Sequence, residues 1–290
     1  MIERFSYSSL ESFKKCPAQF KFRYIKKIIK SHEGIESFVG KRVHEALEFL
    51  YNEKLSGRLT VVDGVIEKYH QNWKDNWHDE IVIVRKELKN QNYSWVGSLA
   101  GSWEIAREKK IVKEFFRLGE RCIAGYYRKF SPFDQPTIGT EIEFTFNLDG
   151  SNDYIMKGSN DYIMKGIADR IDSDGDGNFE IHDYKTGKRM MSQLDADKDG
   201  QLAIYQIALA KEYENIESVI LKWHYLQHNK IITSKRTEGQ LNKLIESIKL
   251  KIDQIREYII KGNEFEPKES ILCNWCYYWE ECPAKSSLNY

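Results

Sequence analysis

Asp169, Asp183 and Lys185 are the residues in this 290-residue sequence whose types and spacing first suggest chemistry. Asp169 ends the run Ile163-Met164-Lys165-Gly166-Ile167-Ala168, and Asp183 and Lys185 follow Phe179-Glu180-Ile181-His182. Residues two apart on a strand share a face, so Asp183 and Lys185 point the same way. Two carboxylates beside one ammonium suit a hard divalent cation bound through oxygen, with the lysine left to orient a water or stabilise an oxyanion. The same residues also read as a solvated surface hairpin with a cross-strand ion pair.

The elements that must position them can be read around this point. Residues 166–188 read as two apolar-alternating strands joined by a turn rich in Asp and Gly, a hairpin that brings the two aspartates together. From Thr137 the period is two, giving the strand EIEFTFNL, and Asp149-Gly150 signals a turn. SNDYIMKG then occurs twice, at 151–158 and 159–166. Because eight is even, either copy can pair with EIEFTFNL without changing which face a residue occupies, but only the second adjoins Asp169. A helix starting near Gly200 places Gln201 and Tyr205 on one face. VILKWHYLQ (219–227) reads as a strand with KIITSKR as its partner, and 240–260 as a helix with apolar residues at steps of four and three. That spacing fits a coiled-coil seam or, at under three heptads, a helix packed on its own domain. Upstream, FVGKRVHEALEFLYNEK is an apolar-striped helix carrying His44. Residues 60–130 read as mainly helical and rich in Trp and Tyr, a packing composition with no catalytic signature.

The opening stretch SYSSLESFKKCPAQFKFRYIKKIIK reads as a helix capped by Ser8 or Ser9 and interrupted near Cys16-Pro17. From Lys14 to Lys30 it holds seven basic residues and no acidic one, interleaved with Phe20, Phe22 and Tyr24. That mix suits a phosphate backbone, or a solvated amphipathic face. At the other end, Cys273, Cys276 and Cys282 form C-x2-C-x5-C followed by Pro283. Three thiolates need a fourth ligand for a closed site, and Cys16 is the candidate; the spacing fits a four-cysteine zinc as well as an iron-sulfur cluster. Cys122, within a helical stretch, is left over and expected to be buried.

Composition sets the bounds. The 44 basic and 44 acidic residues cancel, so overall charge names no anionic partner and only local clusters can. No apolar run reaches membrane-spanning length and the first residues lack the apolar core of a signal peptide, so a cytoplasmic location is expected. Five cysteines in a reducing compartment argue for metal or cluster ligation over disulfides.

Together these pieces resemble the RecB-like branch of the PD-(D/E)XK nuclease superfamily over nearly the whole chain. The resemblance rests on S-Y-S-S-L-x-x-F-x-x-C-P-x-x-F-x-F-x-Y, G-K-x-V-H-E at His44, G-x-A-D-R-I-D at Asp169, D-Y-K-T-G-K at Asp183 and Lys185, Q-L-x-x-Y at Gln201 and Tyr205, and one early with three late cysteines. It implies a metal-dependent deoxyribonuclease, an exonuclease acting on single strands or ends. Mg or Mn would be held by His44, Asp169, Asp183 and the carbonyl of Tyr184. Lys185 would position the attacking water, and Gln201 and Tyr205 would contact DNA. As in AddB-type and CRISPR-associated RecB-like exonucleases, Cys16, Cys273, Cys276 and Cys282 would bind a 4Fe-4S cluster that staples the termini. Asp183 stands where many relatives have Glu.

The implied fold is α/β: a restriction-endonuclease-like core, with a small mixed sheet flanked by helices, in one domain spanning 1–290. Residues 137–235 form the catalytic core, 45–135 a helical insertion, and 1–30 with 265–290 the iron-sulfur region. No G-x-x-x-x-G-K-[ST] loop is present, so any unwinding falls to a helicase or other DNA-processing partner. Two rival functions compete. A non-catalytic iron-sulfur or zinc DNA-binding module would keep the basic stretch and the cysteines without needing the other motif residues. Calcium binding is suggested by Asp172, Asp174, Asp176 and Gly177 and by Asp195, Asp197, Asp199 and Gly200, but both loops lack the closing Glu.

Overall fold

A computed structural model describes residues 2–86, 93–96, 109–150 and 162–285. Its centre is a five-stranded sheet whose spatial order follows the chain: β4 (Thr137–Asn147), β5 (Ile163–Ser173), β6 (Asn178–Lys185), β7 (Ser218–Tyr225) and β8 (Lys230–Ser234). Neighbours are antiparallel except β6 and β7. A parallel pair needs a long crossover, and here the chain leaves the sheet after β6 to form α6 (Gln193–Ala196) and α7 (Gln201–Glu212) before re-entering as β7.

The turn between β5 and β6 shows how the Asp-Gly repeat is used. Gly175 and Gly177 take φ of +83° and +89°, which only glycine adopts freely, and a Cβ on Gly177 would lie 2.4 Å from the Asn215 carbonyl oxygen. Asp174 Oδ1 accepts from the N–H groups of Asp176 and Asn178 at 2.8 and 3.1 Å. Asp172, by contrast, points into the protein and pairs with Arg170. The second Asp-rich stretch is spent on caps: Asp195 closes the capping box of α6, Asp197 accepts from Ser234, and Asp199 accepts from the Gln201 N–H. The calcium-loop reading therefore fails because Asp174, Asp195, Asp197 and Asp199 hold a turn and helix ends, and Asp172 turns inward to Arg170, instead of converging from one loop.

Helices cover both faces. On one side, α1 (Tyr7–Lys15), α7 and α8 (Glu238–Ile260) enclose a core with Phe5, Phe20, Phe144, Met164, Ile181 and Trp223. Ile248, Ile252 and Ile255 of α8 are buried in it, so the four-and-three spacing serves packing within this chain. On the other side, α3 (Ile35–Leu55), α4 (Val62–Asn76) and α5 (Lys110–Phe130) build an aromatic core around Phe38, Tyr51, Tyr69, Trp73 and Tyr126, in which Cys122 is buried. Burial pushes the Cys122 thiol up to about 11, as expected of a packed, inert cysteine.

Two expectations change and a third is met. Residues 45–135 also contain β2 (Ile81–Lys86) and β3 (Tyr93–Val96), which join β1 (Glu33–Gly34) in a three-stranded sheet, because Ile81-Val82-Ile83-Val84 is a β-branched run. The cap of α1 is Ser6, not Ser8 or Ser9: its side chain accepts from the Ser9 N–H while Ser9 accepts from that of Ser6. The opening helix stops at Lys15, and α2 (Pro17–Phe20) restarts it with Pro17 at its first position. Of the tandem repeat, the first copy lies outside the described residues. The second runs into β5, where Ile163, Met164, Lys165 and Gly166 pair with Asn147, Phe146, Thr145 and Phe144.

Candidate active site

The β5–β6 ladder pairs Ser173 with Phe179 and ends at Arg170 and His182, leaving Asp169 and Asp183 as the first residues past the last rung. There the Tyr184 N–H donates to the side chain of Asp169, 2.6 Å to Oδ2, in place of a strand carbonyl. The hairpin thus brings both aspartates to the point where the two strands part. Asp169 is pushed upward by burial, with Asp183 adding to the shift, while His44 opposes it.

Asp183 is buried and Lys185 lies beside it, its Nζ at 2.9 Å from Oδ1 and 2.7 Å from Oδ2. Gln201, at the start of α7, donates to Asp183 Oδ1 at 3.2 Å and its Oε1 accepts from Lys185 at 3.5 Å. Burial lowers the Lys185 ammonium, but Asp183 and Asp169 outweigh it and hold it raised, so the lysine is a cation. Asp183 Oδ2 is shut away from solvent and its charge is met by the Lys185 ammonium at 2.7 Å.

His44 reaches the same point from α3. Its Nε2 lies 2.8 Å from the Tyr184 carbonyl oxygen and its Nδ1 3.5 Å from Asp169 Oδ2. The carbonyl can only accept, so Nε2 carries the proton here and would give it up on ligating a cation through this nitrogen. The close approach of α3 is helped by Gly40, where a Cβ would lie 3.1 Å from Thr186 Oγ1 just past β6.

Sequence reasoning missed Glu141. It faces Asp169 across the β4–β5 ladder, between the pairs Thr140–Arg170 and Ile142–Ala168, and takes a φ of +47° that interrupts the pairing. Such a conformation costs a non-glycine residue about 1–3 kcal/mol and persists where the surroundings impose it. Ligand atoms of His44, Glu141 and Asp169 all lie within 4.8 Å of one another. Burial, then Asp169, push the Glu141 carboxyl up to about 7. The signal that could have found it is register: pairing EIEFTFNL with the second repeat copy sets 141 opposite 169.

Tyr205 is nearly buried, stacked on Phe144 with ring centroids 6.2 Å apart. Gly166 makes room for it, since a Cβ there would stand 2.3 Å from the tyrosine ring. Tyr205 and Gln201 line one wall of a groove of about 580 Å³.

The cysteines from the two ends of the chain lie in one region of the fold, and none is in a disulfide. Cys16, Cys276 and Cys282 flank a small cluster of Ala18, Phe22 and Tyr278. Three of the sulfurs accept N–H groups: Cys16 from Lys268 at 3.4 Å, Cys273 from Ser270 at 3.4 Å, and Cys276 from Gln19 at 3.6 Å.

A family model described as the PD-(D/E)XK nuclease superfamily matches residues 4–283. Among solved structures, a crystal structure of a protein described as a candidate exonuclease, from Eubacterium rectale, is 14% identical, with 95% of this chain and 88% of that chain covered and a TM-score of 0.52. A second, SSO0001, is 17% identical over 60% of this chain and 75% of its own, with a TM-score of 0.32. A search of curated protein sequences returns no match.

Proposed function

The chain belongs to the PD-(D/E)XK nuclease superfamily, and from that premise we propose that it is a metal-dependent deoxyribonuclease of the RecB-like type. On this reading it hydrolyses phosphodiester bonds as an exonuclease on single strands or DNA ends, with strands presented by a helicase or other DNA-processing partner. The observation that carries the reading is the convergence of His44, Glu141, Asp169 and the Tyr184 carbonyl next to the Asp183–Lys185 pair.

The residues fit a hard cation. Mg or Mn would be held by His44, Asp169, Asp183 and the Tyr184 carbonyl, with Glu141 as a further carboxylate. The carboxyls of Glu141 and Asp169, both raised chiefly by burial, favour a positive charge at this place. When bound, such a cation polarises the phosphate and lowers the pKa of water. The chain's own groups do the rest. Lys185, kept charged by Asp183, orients the attacking water and faces the developing negative charge. Gln201 bridges Asp183 and Lys185 and fixes their spacing, and Tyr205 forms the wall along which the strand lies.

Cys16, Cys273, Cys276 and Cys282 are assigned by the same reading to a 4Fe-4S cluster. The N–H donors already directed at three of these sulfurs are what cluster-bound thiolates accept, whereas neutral thiols accept weakly.

Incubating end-labelled single-stranded and duplex DNA with the purified protein, with Mg, with Mn and without either, tests the activity. Cleavage is expected only with metal, and Lys185→Ala should lower it at least about 100-fold while DNA affinity stays nearly unchanged. Metal-independent cleavage, or full turnover by Lys185→Ala, would overturn the assignment.

A further inference from the structure

The groove beside Gln201 and Tyr205 does not end there. It runs past Tyr7 to Arg4 and Lys165, where it meets a second groove of about 590 Å³ that shares Arg4, Ser6 and Lys165 and continues by Tyr24 to Lys27. The junction is built by the backbone. The Phe5 N–H donates to the Ile163 carbonyl at 2.9 Å and the Lys165 N–H to the Phe5 carbonyl at 2.7 Å, so the opening segment lies along β5 in parallel. Phe5 and Met164 are fully buried beneath this pair, while the neighbouring Arg4 and Lys165 are exposed over it.

Charge marks the two grooves as one track. Arg4, Lys165 and Lys27 are exposed and have no side-chain partner among the described residues. Acidic residues are fewer, Glu143 in the first groove and Glu3 in the second. In the adjoining groove Lys30 is paired with Glu280 and Glu281 and Lys41 with Glu33, while Arg23 lies over the Tyr24 ring. Three unpaired cations spaced along a furrow that also presents Tyr7 and Tyr24 combine a positive path for a backbone with aromatic faces for unpaired bases.

We propose that the two grooves are the track of a single DNA strand, running from Gln201 and Tyr205 past Arg4 and Lys165 to Lys27. The assignment rests on the nuclease reading and extends it. The seven basic residues of the opening stretch are not equivalent on this track: Lys27 holds the strand, while Lys30 holds the C-terminal segment.

The test measures binding of labelled oligo-dT of about 20 nucleotides across a salt series, in the cleavage-deficient Lys185→Ala protein. Each of Arg4→Ala, Lys165→Ala and Lys27→Ala should reduce the slope of log affinity against log salt by about 0.7, and the triple variant by about 2. Lys243→Ala, on the exposed face of α8, should leave the slope unchanged. An unchanged slope in the triple variant, with metal-dependent cleavage by the parent intact, overturns the track and leaves the nuclease reading standing. An equal fall with Lys243→Ala overturns it as well, since net charge alone would then account for the effect. The same slope changes on a blunt duplex overturn the single-strand claim. A parent protein that neither binds nor cuts DNA removes the nuclease reading and the track together.

Discussion

Glu141 and Asp183 represent two ways of preparing a carboxylate for a cation. Asp183 is buried but charge-balanced by Lys185, whereas burial, then Asp169, with Glu48 and Glu45 adding and His44 opposing, push the Glu141 carboxyl up to about 7. If both bind the metal, removing either charge weakens binding. By titration calorimetry, Asp183→Asn should lower Mn affinity at least about tenfold, because an amide supplies no negative charge. Glu141→Gln should weaken binding in the same direction. Wild-type affinity and cleavage in Glu141→Gln would mean that the left-handed turn at 141 serves the backbone alone.

The β5–β6 hairpin carries different chemistry on its two faces. One face presents Asp169, Asp183 and Lys185; the other buries Arg170, Asp172 and His182 against α3 and α5. Arg170, fully buried, donates to Asp172 at 3.0 Å and to the Tyr184 hydroxyl at 3.2 Å, and also bonds Tyr126 and His182. It therefore grips the ring of the residue whose backbone meets both Asp169 and His44. Burial disfavours charge on His182 and His224, whose pKa values are lowered in the fold; the unfolded chain binds those protons more readily, so stability should begin to fall as pH drops below about 6.5. Burial alone would raise Asp172, but His182 and Arg170 hold it at about 2, and a bond from His182 holds Glu180 at about 2. Their contribution is present above the ordinary carboxylate range and lost as pH falls from about 4 towards 2. Thermal melts from pH 8 to pH 3 should show both declines. Asp172→Asn should remove part of the lower one and cost about 3 kcal/mol at neutral pH, since Arg170 loses its buried counter-charge. A melt that is flat with pH would contradict this account.

The β4–β5 pairing decides the fate of the tandem repeat. Tyr162 to Gly166 of the second copy already connect to Asp169 with the register that faces Gly166 to Tyr205. Deleting residues 151–158 should therefore leave a folded, cleaving protein, because eight residues preserve strand facing. Loss of both solubility and cleavage in the deletion would show that the first copy is structural.

At the scale of the molecule, the two ends of the chain meet. Cys16 accepts from Lys268, Gly34 donates to Tyr277 at 2.7 Å, and Lys30 bridges Glu280 and Glu281. These polar contacts are exposed or half-buried and contribute little individually. A cluster ligated from both ends would close nearly the whole chain into one loop, stabilising it by about 4–5 kcal/mol by analogy with a disulfide. The anaerobically purified protein should be brown, with iron and sulfide at about four each per chain. Cys16→Ser should lose the colour and make both termini protease-sensitive, while Cys122→Ser keeps the colour. A colourless, zinc-loaded protein would reject the cluster and leave the nuclease assignment untouched.

The sequence by itself determined the α/β class, the β5–β6 hairpin, the α7 helix of Gln201 and Tyr205, and the helix carrying His44. Each depends on local periodicity or turn chemistry, which acts over a few residues. The Asp183–Lys185 pair was legible for the same reason, since residues two apart on a strand must share a face. Glu141 was not, because its place depends on the β4–β5 register and on a single left-handed residue, neither of which has a local signature. Nor was the division of the basic stretch, in which Lys27 stays free and Lys30 pairs with glutamates some 250 residues away. Which charges are spent and which remain available for a strand depends on what the fold brings beside them, and only the tertiary structure decides that.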